Sequence, residues 1–160
     1  MATVMDRTET TQVYRVFIQA SPEAIWDAIT KPEWNERYGY RSKQEFVLRP
    51  GGAYRGYGSD EMGEMAGNVI VDGEVLEVDP PHKLVQTWRA TWLGEGFTRL
   101  TYEIKAGQGG VTSLTIIHEL EGAPATASQV AGAIDGAGGG WAEVLSDLKT
   151  LLETGKPLGV

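Results

Sequence analysis

The chain has 160 residues, a length that suits one domain burying roughly 70% of its unfolded surface. Hydrophobic residues make up 41% of it and cysteine is absent, which excludes disorder as the main state, disulfides, thiolate nucleophiles and cysteine metal sites. A net charge of −8 argues against nucleic acid and anionic membranes as partners, and no apolar run approaches the roughly 18 residues of a membrane helix.

The N-terminus, MATVMDRTETTQ, lacks an apolar signal core, so a cytoplasmic location and a short tail over residues 1–11 are expected. Residues 12–157 are then read as one domain. Gln12 to Ala20 is β-branched and aromatic, hence a strand. Ser21 followed by Pro22 is a helix start, and a helix is expected from Pro22 to Thr30. Lys31-Pro32 interrupts it, and a short second helix should follow over Pro32 to Arg37.

Strands and turns come next. Gln44 to Leu48 and Ala53 to Tyr57 read as a hairpin around Pro50-Gly51-Gly52. Ser59 to Gly67 is an acidic, methionine-bearing loop. Asn68 to Val78, Lys83 to Trp92, Phe97 to Ala106 and Val111 to Leu120 are four further strands with short connections, which implies an antiparallel meander. Pro124 to Ile134 is expected to form a short helix that Gly136 and Gly138 to Gly140 break. Trp141 to Thr154 carries the clearest helical stripe, with Trp141, Val144, Leu145, Leu148, Leu151 and Leu152 on one face and Gly155 as its cap.

The order is β-αα-β6-α, an α+β arrangement. A curved seven-stranded antiparallel sheet has one face to cover, and laying the last helix across its concave side is the economical solution. Space between helix and sheet would then form an internal hydrophobic cavity. The candidate lining residues are Trp34, Tyr38, Tyr54, Trp88, Leu100, Tyr102, Ile116, His118, Trp141, Leu145 and Leu148. Five tryptophans in the chain suit a pocket for a flat apolar or aromatic ligand, and also suit ordinary core packing.

Several segments resemble one family. They are Ala20-Ser21-Pro22-Glu23-Ala24-Ile25-Trp26, Leu48-Arg49-Pro50-Gly51-Gly52-Ala53-Tyr54-Arg55, Val75 to Val85 with its Asp79-Pro80-Pro81 turn, Thr98 to Thr101, and Gly140-Trp141 through Leu152. Together they resemble the START and Bet v-like (SRPBCC) helix-grip superfamily, in its branch of activator-of-heat-shock-ATPase homologues and polyketide cyclase-like proteins. The resemblance implies a sheet around a hydrophobic cavity with no metal and no organic cofactor. It implies no single reaction. Relatives commonly carry a tryptophan pair and Gly-Pro after the second helix. Here the stretch reads Trp34-Asn35-Glu36-Arg37-Tyr38-Gly39-Tyr40, so hydroxyls replace part of the apolar surface there.

His118 shares strand parity with Leu114 and Ile116. It is either a ligand contact or general base in the cavity, or a core histidine satisfied by a neighbouring hydroxyl. Glu77 and Glu119 are strand carboxylates, one of which is expected to pair with Arg99 or Arg89 across the sheet; a Glu turned inward would instead be a candidate base with a raised pKa. Asp60, Glu61 and Glu64 lack calcium-loop spacing and read as a solvated loop. No phosphate-binding glycine loop or nucleophile elbow is present. Three functions follow: a binder of a small hydrophobic ligand, a cyclase- or dehydratase-like enzyme on a polyketide-like or aromatic substrate, and a heat-shock co-chaperone. A homodimer is compatible with all three.

Overall fold

A computed structural model describes residues 10–159. The expected tail lies outside the described residues, save for Thr10 and Thr11, and Thr11 already pairs with Glu119 in the sheet. The strands are β1 (Thr11–Gln19), β2 (Gln44–Phe46), β3 (Ala53–Tyr57), β4 (Val69–Asp79), β5 (Lys83–Ala90), β6 (Thr98–Ala106) and β7 (Val111–Glu119). They form one seven-stranded sheet in the order β1-β7-β6-β5-β4-β3-β2, and every pairing is antiparallel. Register shifts between Gly56 and Tyr57, and between Val75 and Glu77, add local twist where the sheet must curve.

The helices are α1 (Pro22–Thr30), α2 (Pro32–Asn35), α3 (Pro124–Val130) and α4 (Gly140–Thr154). Ser21 caps α1 by accepting from the Ala24 N–H at 3.1 Å, and Pro22 opens its first turn. Pro32 then enforces the break before α2. Gly155, at φ 85°, ends α4 in the left-handed region.

Polar ties from three side chains hold α4 in place, two of them to β1. Lys149 Nζ donates to the Phe17 carbonyl at 2.7 Å, and Glu153 accepts from the Gln19 N–H at 2.8 Å. Asp147, buried, accepts from Gly39 N at 2.8 Å and from Leu158 N at 2.7 Å. Asp147 lies off the apolar stripe of α4, yet it is buried. The turn after α2 and the C-terminal segment both fold onto its carboxylate. Leu145, Leu148 and Leu151 complete the core with Ile18, Leu84, Leu100, Tyr102, Leu114 and Ile116. Among the described residues no helix is long and apolar enough to cross a membrane.

Two expectations change. The helix expected to reach Ile134 stops at Val130. Beyond it the chain doubles back: a Cβ on Gly140, at φ 68°, would collide with the Val130 carbonyl, so only glycine allows that crossing. Between Ser59 and Gly67 the acidic loop contains a 3-10 segment, Asp60–Met65, kinked at Gly63.

Candidate functional site

A cavity of about 650 Å³ lies between the concave sheet face and α4. Its inner wall follows from strand alternation. Tyr54, Trp88, Tyr102 and Ile116 project from β3, β5, β6 and β7, and Trp141, Leu145 and Leu148 from α4; Tyr38 comes from the turn after α2. Its outer rim includes Glu61, Trp92, Gly136 and Gly138, all solvent-exposed. The mouth therefore opens between the 3-10 segment, with Met62 and Met65, and the glycine-rich segment before α4. Gly138 is needed there because a Cβ would press into the Tyr40 ring. The Tyr40 hydroxyl in turn accepts from the Gly140 N–H at 3.1 Å.

Eight of the eleven sequence-derived candidates border this space, and three do not. Trp34 lies off the cavity, partly buried against the core, with the Arg37 guanidinium 4.7 Å from its ring centre. Leu100 is buried solidly in the core. His118, fully buried, sits behind Trp141 and is absent from the cavity wall.

The bonding around His118 is complete. Thr98 Oγ1 donates to the Trp88 carbonyl at 2.8 Å, which leaves its lone pairs to accept from His118 Nε2 at 2.8 Å. Trp141 Nε1–H donates to His118 Nδ1 at 3.1 Å. The network assigns the neutral Nε2–H tautomer. Trp88 and Trp141 both meet the imidazole edge-on, with ring centres at 5.3 and 6.1 Å. Burial lowers the His118 pKa to about 3, because an imidazolium there would lose its hydration without gaining a counter-charge. His118 thus fixes the Trp141 indole at the start of α4. The hydroxyl partner that sequence parity allowed is Thr98.

The tyrosines differ from one another. The Tyr38 hydroxyl donates to the Ala28 carbonyl at 2.8 Å, and the Tyr54 hydroxyl donates to Gln44 Oε1 at 2.6 Å. The hydroxyl of Tyr102 has no hydrogen-bond partner among the described residues, although the residue is only 7% exposed. Burial raises all three phenol pKa values, so they stay protonated at neutral pH.

Asn35, Ser42, Gln44, Gln129 and the two methionines also border the cavity and were not singled out as lining residues. The available signal was the Ala28–Ile29 end of α1: its orphan carbonyls require a donor, and the Asn35 amide supplies one at 3.0 and 2.9 Å. Glu95 is a further surprise. It caps α3 from the turn between β5 and β6, accepting from Ala125 N and Thr126 N at 2.9 and 2.7 Å. Glu119 pairs with Arg99 at 3.4 Å as expected, whereas Glu77 pairs with Lys83 at 3.3 Å and Arg89 with Asp72 at 2.8 Å. Both glutamates lie on the exposed face, not inward. Among the described residues no group of three His, Asp or Glu side chains is placed to hold a metal ion.

Three solved structures are similar in fold. PFC0360w, described as an HSP90 activator from Plasmodium falciparum, is 19% identical with a TM-score of 0.65, covering 89% of this chain and 96% of its own. DynU16, a putative protein in the dynemicin biosynthetic locus, is 22% identical with a TM-score of 0.68, covering 92% of this chain. CalU16 from Micromonospora echinospora is 21% identical with a TM-score of 0.52, covering 68% of this chain. The chain spans 49% of DynU16 and 59% of CalU16. No curated protein matches it significantly. The family model for activator of Hsp90 ATPase homolog 1-like proteins matches residues 19–153, and the chain belongs to that family.

Proposed function

We propose that this protein binds a small, flat, apolar ligand in the chamber between the sheet and α4. The observation that carries the reading is the chamber itself: about 650 Å³ walled by Tyr54, Trp88, Tyr102 and Trp141. Cavities that hold drug-sized ligands run from roughly 300 to 1,000 Å³. Apolar burial contributes about 25 cal/mol per Å² before the costs of ordering. Aromatic walls favour a ring system that stacks or packs edge-on.

The test is tryptophan fluorescence titrated with fatty acids, flavonoids and polycyclic aromatics, in the wild type and in Ala90→Phe. Ala90 borders the chamber and is buried, so the added ring occupies ligand space. Saturable quenching by a flat aromatic in the wild type, lost in a folded Ala90→Phe, supports the reading. No saturable binding by any compound refutes it.

Stimulation of a heat-shock ATPase is the second reading, favoured by the likeness to PFC0360w over nearly its whole chain. An unchanged chaperone ATPase rate with added protein removes it. A ring-closing enzyme needs a proton-transferring group on the wall. His118 does not serve, since both its nitrogens are engaged behind Trp141.

A further inference from the structure

Tyr102 carries a hydroxyl without a hydrogen-bond partner on the aromatic wall of the chamber. It lies in the middle of β6, opposite Ile116 of β7 and Leu84 of β5. The residue is only 7% exposed, and its ring meets Trp141 edge-on, with centres 6.2 Å apart and planes at 87°. That contact fixes the ring while leaving its tip unbonded. The neighbouring phenols already donate elsewhere, Tyr38 to the Ala28 carbonyl and Tyr54 to Gln44. The indole N–H of Trp141 is committed to His118. The Tyr102 O–H is left to meet an incoming molecule.

The Tyr102 hydroxyl is not among the fully buried unpartnered side-chain atoms, so its tip opens on the chamber, where a ligand acceptor can take its hydrogen bond. The type of acceptor follows from the charges. The charged side chains bordering the chamber are Arg41, Glu61 and Glu143, and all three are exposed or half-exposed. An anionic group placed beside Tyr102 would lose its hydration with no buried cation to replace it. A neutral carbonyl oxygen accepts the same hydrogen bond without that penalty.

We propose that Tyr102 selects the ligand, donating its phenolic O–H to the neutral carbonyl oxygen of a flat aromatic ketone held against Trp141. The inference rests on the ligand-binding reading above and adds a chemical class and a selecting residue to it. Tyr102 acts here as a binding residue, and no bond is made or broken.

Three matched pairs of compounds test it: fluorenone with fluorene, xanthone with xanthene, and benzophenone with diphenylmethane. Each pair differs in the carbonyl. Binding is measured by equilibrium dialysis to wild type and Tyr102→Phe, with each affinity referred to the compound's own water–octanol partition. The wild type is expected to prefer at least one ketone over its hydrocarbon by about fivefold or more, the fold-change of one net hydrogen bond. Tyr102→Phe should erase that preference and leave hydrocarbon binding intact, which also shows that the variant is folded. The infrared carbonyl stretch of the bound ketone should be red-shifted in the wild type and relax in Tyr102→Phe.

Equal binding of ketone and hydrocarbon to the wild type overturns the inference while the chamber reading stands. So does a ketone preference that survives in Tyr102→Phe. If none of the six compounds binds the wild type, the inference and the chamber reading fall together. If Tyr102→Phe does not fold, Tyr102→Trp and the infrared shift in the wild type decide: an unshifted carbonyl stretch refutes the hydrogen bond.

Discussion

Two adjacent rungs of the same sheet face end in different places. At one, Leu100 of β6 faces His118 of β7; at the next, Tyr102 faces Ile116. The first rung is a closed seam, where every polar atom of the imidazole is bonded and Leu100 has no exposure. The second opens on the chamber and carries a hydroxyl with no partner. Trp141 stands between them, donating to His118 and presenting its ring to Tyr102. Strand parity therefore identifies the inward face, but the opposing helix decides which inward residues meet a ligand and which form core.

If the seam carries stability and the chamber carries binding, substitutions should divide along that line. The largest effect belongs to the seam. Leu100→Ala removes a solidly packed side chain and should cost about 3 kcal/mol, within the range for buried leucine truncations, read as a lower urea midpoint. Asp147→Ala should follow at about 2 kcal/mol, because it strands the Gly39 and Leu158 N–H groups. Retention of wild-type stability in both variants would break the comparison.

The pH dependence sharpens it. His118 stays neutral in the folded protein down to about pH 3, while an unfolded histidine titrates near 6.5. The unfolded state then binds more protons between these values, so the His118 contribution is complete above pH 6.5 and is lost as pH falls toward 3. The slope from this group is at most about 1.4 kcal/mol per pH unit. Urea midpoints of wild type and His118→Gln should converge as pH is lowered from 7 to 5. Parallel curves would show that His118 is not buried as a neutral ring.

Glu95 gives a smaller effect. Loss of its cap on α3 in Glu95→Ala should cost about 1 kcal/mol, the usual value for a capping side chain. Burial raises its pKa and the hydrogen bonds from Thr126 and Ala125 outweigh this, for a net lowering. Its contribution is present above the ordinary carboxylate pKa and disappears as pH falls through the lowered value. The smallest stability change is expected at the mouth. Met62→Ala should shift the urea midpoint by less than about 0.5 kcal/mol while altering the rate of ligand entry, measured by stopped-flow quenching.

Much of the frame was readable from the chain. Valine, isoleucine and aromatic alternation in 12–20, 83–92 and 111–120 marks strands, because those side chains fit a half-buried pleat. The stripe from Trp141 to Leu152 marks α4 because 3.6-residue spacing leaves one apolar face. Seven of the eight candidate lining residues that border the chamber do so for the same reason of parity and stripe, and Tyr38 joins them from the turn after α2. The misses share a cause, which is pairing between distant residues. Glu95 caps a helix 30 residues ahead. Asp147 receives Gly39 from 108 residues away, and His118 is screened by an indole on another element. Local periodicity carries no trace of such partners. The glycine run 136–140 was visible, but its reason, the Tyr40 ring and the Val130 carbonyl pressed against it, is tertiary.

The central claim is that the space under α4 is hollow and takes a flat apolar guest. A crystal structure of the protein soaked with xanthone tests it most directly. The account predicts electron density for the tricyclic ring among Trp88, Tyr102 and Trp141, with the ketone oxygen within hydrogen-bonding distance of the Tyr102 hydroxyl. A chamber filled by repacked side chains, or xanthone bound only on the outer surface, would contradict it.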